Sequence, residues 1–158
     1  MSANVGASTG MIAPDFTLKD GDNNPWNLAE HRGKAVVLLF YPADETPVCT
    51  RQMCSVRDRW EDYSATGAVV VGISANSVES HKSFAENHNL PLTLLSDPRL
   101  EVAKLYSAMS AFPGKMGRAV VVIDPLGRVS YRKLRPLVGL LFMPRDDETI
   151  AAIKAALQ

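Results

Sequence analysis

Cys49 and Cys54 are the two cysteines of a 158-residue chain and stand five positions apart. A disulfide closing so short a loop would constrain the unfolded chain only slightly. A domain of this length buries roughly two-thirds of its unfolded surface and needs no such staple. In a reducing compartment the pair therefore points to thiol chemistry. The bland alternative is two unrelated buried thiols.

The neighbours of Cys49 favour the chemical reading. The segment Phe40-Tyr41-Pro42-Ala43-Asp44-Glu45-Thr46-Pro47-Val48-Cys49-Thr50 carries prolines at 42 and 47, so 42–48 reads as a stiff loop. Good helix formers follow from Cys49 to Tyr63, with Met53, Val56, Trp60 and Tyr63 on one face. A cysteine in the first turn of a helix meets free N–H groups and the positive end of the dipole, which favour thiolate, the nucleophilic form. Thr46 is near enough in sequence to turn its hydroxyl toward Cys49 or a bound oxygen. Asp44 and Glu45 are expected to cap or solvate the loop.

The elements that must hold this loop are legible as hydrophobic runs. Ala35–Tyr41 is a continuous apolar stretch, expected as a strand buried on both faces, and Ala68–Ile73 is a second. Asp15–Leu18 and Trp26–Leu28 flank a polar turn and predict a small N-terminal β-hairpin. Ser77–Asn87, Pro98–Tyr106 and Asp146–Leu157 predict helices. Leu92–Leu95, Arg118–Ile123 and Val129–Leu134 predict strands, the last two around an Asp124-Pro125-Leu126-Gly127 turn. Strands alternating with helices and closing on an antiparallel hairpin predict an α/β domain with a central mixed sheet flanked by helices, in the order of a thioredoxin-like core. Sites in such sheets lie beyond the carboxyl ends of the strands, where the Cys49 loop falls. Residues 1–158 are expected to form a single domain, with 1–13 as a mobile arm. The apolar stretch Leu137–Met143, between Pro136 and Pro144, is expected to fill core, the alternative being an exposed apolar loop near the active site.

Composition excludes some functions. Lys+Arg and Asp+Glu number 17 each, so no net field attracts nucleic acid or anionic lipid. No apolar run approaches the roughly 18 residues of a membrane span, and the N-terminal residues lack a secretory pattern. A soluble, cytoplasmic protein without nucleic-acid or membrane partners is expected. His31, His81 and His88 are scattered, and a C-x₄-C pair without further ligands is weak for zinc, so no metal or cofactor is expected.

With these residues in place, the chain resembles the peroxiredoxins, and within them the bacterioferritin-comigratory or peroxiredoxin Q group. Pro42-x-x-x-Thr46-x-x-Cys49 matches the family's active-site loop in full, the second cysteine follows five residues on, and the likeness runs from Ala13-Pro14-Asp15-Phe16 through Gly117-Arg118 to the last helix. The resemblance implies a thiol peroxidase for hydrogen peroxide and organic hydroperoxides. In it Cys49 attacks the peroxide and becomes a sulfenic acid, Thr46 hydrogen-bonds peroxide and thiolate, and Pro42 shields the sulfenic acid. Arg118 supplies a positive charge, and Cys54 resolves the sulfenic acid as a disulfide. It also implies reduction by thioredoxin or a similar dithiol, and the cis resolving cysteine favours a monomer. Val48 and Gln52 depart from the group, which often has glycine and an acid there.

Helix geometry constrains the resolving step. Residues five apart in an intact helix have Cα atoms about 8.6 Å apart and point about 140° apart, whereas a disulfide needs Cα atoms within ~7 Å. The helix between Cys49 and Cys54 must therefore open before they join. Two other classes remain: a dithiol electron carrier, which usually has C-x-x-C, and a redox-sensing module in which oxidation of Cys49 only alters a surface.

Overall fold

The computed structural model describes residues 4–110, 112, 114–135 and 145–158, so the stretch Leu137–Met143 lies outside the described residues. Among the described residues, seven strands form one mixed sheet: β1 (Thr17–Asp20), β2 (Pro25–Asn27), β3 (Val36–Phe40), β4 (Val69–Ser74), β5 (Thr93–Ser96), β6 (Arg118–Ile123) and β7 (Val129–Arg135). Their order across the sheet is β2-β1-β5-β4-β3-β6-β7. β3, β4 and β5 run parallel, while β6 and β7 continue the sheet antiparallel on one side and β1 and β2 on the other. The helices are α1 (Pro47–Asp58), α2 (Trp60–Ala65), α3 (Val78–His88), α4 (Glu101–Leu105) and α5 (Asp146–Ala156). This is the mixed sheet with an N-terminal hairpin extension that the sequence predicts.

The hairpin forms because Asp20 folds its own turn: its Oδ1 accepts from the N–H groups of Asp22 and Asn24, at 2.9 and 3.0 Å. Residues 4–13, read from sequence as an arm, lie against the β7 side of the sheet. The Gly10 N–H donates to Val129 O at 2.7 Å, and Ile12 bridges to Arg128.

β3 is central, and all five of its residues are buried. The two-residue period of a strand divides its side chains between two cores. Val36, Leu38 and Phe40 join the core that holds Phe16, Tyr106 and α4. Ala35, Val37, Leu39 and Tyr41 face the opposite core with Met53, Val56, Tyr63, Phe84, Ile150 and Ile153. Helices α1, α2, α3 and α5 therefore cover one face of the sheet. Fully burying each of the larger apolar side chains contributes about 1.5–3 kcal/mol, which fixes α1 firmly above β3.

The helix predicted over 49–63 is two helices broken at Arg59, whose φ and ψ of −103° and 16° leave the helical range. The apolar spacing continues through the break, so periodicity alone does not reveal it.

Candidate active site

The site sits where β3 ends and α1 begins. Thr46 is the residue before the helix, in an extended conformation, and Pro47 opens the first turn. Proline suits that position because its missing N–H needs no partner there. The Thr50 N–H donates to Thr46 O at 2.8 Å, which leaves the N–H groups of Val48 and Cys49 as the donors at this helix end. Cys49 itself is fully buried at the third helical position, packed with Tyr41, Met53 and Val120 in the second core. Cys54 is free and half-buried further along the same helix.

Arg118 reaches Cys49 from 69 positions away because of strand register. β3 pairs antiparallel with β6, Phe40 opposite Ala119, so Arg118 lies one step beyond, level with Tyr41 at the carboxyl end of β3. The strand period puts Arg118 on the face shared by Val120 and Val122, beneath α1. Gly117 permits this placement. A Cβ there would lie 3.2 Å from Ala108 O and from the Ser110 backbone, so the 108–110 segment can pack closely where β6 starts.

Arg118 is 3% exposed. Its Nη1 donates to Cys49 Sγ at 3.2 Å and to Gln52 Oε1 at 2.8 Å. Among the described residues it forms no salt bridge with a carboxylate. The guanidinium thus sets its positive charge between the sulfur and a neutral amide oxygen. Among the described residues, Gln52 Nε2 and Arg118 Nε are buried without a hydrogen-bond partner, which leaves donors beside the thiol.

Thr46 is half-buried, and its hydroxyl donates to Ala43 O at 3.2 Å, tying the loop to itself. Pro42 is half-buried just after Tyr41. Cys49 and Arg118 are thus in direct contact, while Thr46 and Pro42 belong to the same loop and Cys54 stands apart on α1.

The expectation that Asp44 and Glu45 cap or solvate the loop is incorrect for Asp44. The side chain of Thr46, the residue before α1, makes no capping bond to its first turn. Asp44 is buried and accepts from Tyr41 Oη at 2.6 Å and Ser80 Oγ at 2.8 Å, and His81 Nδ1 lies 2.7 Å from its Oδ2. Burial first, then the nearby Asp44 charge, pushes the Tyr41 hydroxyl well above its ordinary range, so it remains a donor. Glu45 instead meets the end of α3, 2.7 Å from both Asn87 Nδ2 and His88 Nε2. These bonds hold its carboxyl below the usual glutamate range.

A buried cysteine at a helix N-terminus, an arginine against its sulfur and a mixed sheet flanked by helices are the arrangement of a thioredoxin-like domain. The chain belongs to the AhpC/TSA family, whose profile matches residues 9–132, and its curated relatives include peroxiredoxin Q proteins. It is 48% identical to the chloroplastic peroxiredoxin Q of Triticum aestivum over 78% of this chain and 58% of that protein. It is 40% identical to the chloroplastic peroxiredoxin Q of Gentiana triflora over 94% of this chain and 68% of that protein. The crystal structure of peroxidoxin BcpB from Mycobacterium tuberculosis superposes with a TM-score of 0.83 at 30% identity, covering 95% of this chain and 98% of that one. The chain spans about three-fifths of the length of the first of these relatives. The names of the plant relatives overturn the expected cytoplasmic location, since they are chloroplastic proteins. A compartment is set by targeting segments, and the charge balance and core of a folded domain carry no address.

Proposed function

We propose that this protein is a thiol peroxidase that reduces hydrogen peroxide and organic hydroperoxides at Cys49 and is recycled by thioredoxin or a similar dithiol. The contact of the Arg118 guanidinium with Cys49 Sγ, both buried, carries the reading. The sulfur of the thiolate attacks the terminal peroxide oxygen. An S–O bond forms as the O–O bond breaks, and the departing oxygen takes a proton and leaves as water or an alcohol. Arg118 and the free N–H groups of the first turn stabilise the negative charge that moves onto that oxygen. Thr46 hydrogen-bonds the peroxide, and Pro42 shields the product sulfenic acid from water.

Cys54 then attacks the Cys49 sulfur. An S–S bond forms, the S–O bond breaks, and water leaves. Both cysteines lie within continuous α1, so the turns between them open first. The resulting disulfide lies in a distorted segment and is readily reduced by an external dithiol, which supplies the two electrons. The resolving thiol comes from the same chain, so a monomer suffices. The product is antioxidant defence. Steady consumption of peroxide with thioredoxin, thioredoxin reductase and NADPH tests the reading. Many equivalents per protein are expected, whereas oxidation that stops after one equivalent would make the protein a sensor.

A further inference from the structure

Asp44 and Glu45, the two adjacent carboxylates of the reactive loop, are both fastened to α3. The buried connection runs through His81. Its Nε2 lies 3.0 Å from Leu95 O and its Nδ1 lies 2.7 Å from Asp44 Oδ2. The ring thus joins the loop carboxylate to the end of β5. The same carboxylate takes the Tyr41 and Ser80 hydroxyls, and the Asp44 N–H donates to Asn76 Oδ1 at 2.9 Å. With both side chains at most 1% exposed, each bond replaces one that water cannot supply.

The exposed connection is Glu45. Its φ of 60° is left-handed, a conformation unfavourable for a non-glycine residue. Such backbone persists where the surroundings hold it, and Asn87 and His88 hold this one. Ser80–His81 and Asn87–His88 are two helical turns apart and so share one face of α3.

We propose that this face of α3 is a latch for the reactive loop, with Asp44, His81, Glu45, Asn87 and His88 as positioning residues. The latch holds Ala43–Thr46, and with it the first turn of α1, in the closed arrangement that captures peroxide. Cys49 must leave that arrangement to meet Cys54. Latch strength therefore sets how the Cys49 sulfenic acid divides between two fates. One is the disulfide. The other is attack on a second peroxide, in which a further S–O bond forms, the O–O bond breaks and sulfinic acid results. A weaker latch raises the minor open population without replacing the dominant closed one.

The proposal rests on Cys49 being the thiol that meets peroxide, and two rates test the two ideas separately. The first is capture, the single-turnover reaction with hydrogen peroxide in a Cys54→Ser background. The second is resolution, formation of the Cys49–Cys54 disulfide with Cys54 present. Glu45→Ala should raise the ratio of resolution to capture roughly threefold to tenfold, the effect of losing about one hydrogen bond, and yield less sulfinic acid at high peroxide. Asp44→Ala should shift the ratio the same way, and Asp44→Asn, which keeps partners for Tyr41 and His81, should bring it back. Glu45 is exposed, so its variant decides the matter even where Asp44→Ala does not fold. A folded Glu45→Ala protein with an unchanged or lowered ratio overturns the latch. Absence of sulfenic acid at Cys49 in the Cys54→Ser parent overturns the peroxidase reading instead.

Discussion

At Cys49 the balance of charge rests on what faces Arg118. The guanidinium meets one sulfur and one neutral amide oxygen, from Gln52, in a buried setting. Arg118→Ala removes the positive charge that faces the buried Cys49 sulfur. Loss of one such preorganised donor reduces rates by roughly 10²–10³, so stopped-flow peroxide consumption by Arg118→Ala should fall by about that factor. Gln52→Glu places a carboxylate where Arg118 already donates. The guanidinium then shares its charge, and the peroxide reaction should slow, most simply read from the thiolate absorbance and the single-turnover rate together. An unchanged rate in Gln52→Glu would show that the neutrality of this partner does not matter to the thiolate. Glu45 adds a pH dependence. Its carboxyl is lowered in the folded protein, so its contribution is present above the ordinary glutamate range, near 4.3, and is lost as pH falls through the folded value. The stability gap between wild type and Glu45→Ala in denaturant titrations should therefore be open at pH 6 and shrink below about pH 4.

At the scale of the element, α1 is tied at both ends, and the proposed disulfide requires it to open between them. Its start continues from the loop held on α3. Beyond Cys54, the Ser55 hydroxyl donates to Asp146 of α5, and Arg57 Nη1 donates to His88 O at 2.7 Å. The span free to unwind is thus the stretch from Pro47 to Cys54. Val48 lies in its first turn, and its β-branched side chain stiffens the chain there. Val48→Gly costs helix stability by roughly 0.5–1 kcal/mol, so disulfide formation should accelerate about twofold to fivefold. Trp60, just past the break at Arg59 and packed near Tyr63, gives a fluorescence signal for the opening. A Val48→Gly protein that forms its disulfide no faster would show that unwinding does not limit the step. The break itself is not legible in the sequence, because Met53, Val56, Trp60 and Tyr63 keep one helical stripe across it. The start of α1 is legible, because proline, apolar spacing and the preceding strand all mark it.

At the scale of the whole molecule, the sheet turns distant sequence into a site. Ala35–Tyr41 announces itself as a buried strand, and Arg118–Ile123 as a strand, through composition alone. Their antiparallel register, which sets Phe40 opposite Ala119 and so brings Arg118 under Cys49, is a tertiary fact. The loop motif around Cys49 makes Arg118 a candidate only through family resemblance. Nothing local flags the Asp44–His81 pair, since its members are 37 positions apart and each reads as an ordinary polar residue. The covalent cycle joins these scales, and two substitutions separate its halves. Cys49→Ser and Cys54→Ser should be compared for loss of one equivalent of hydrogen peroxide, with a sulfenic-acid trap and mass spectrometry of the intact chain. The account predicts no first turnover in Cys49→Ser. It predicts one rapid turnover in Cys54→Ser, a trapped sulfenic acid at Cys49 and impaired recycling by thioredoxin. Undiminished peroxide reduction by Cys49→Ser would contradict it.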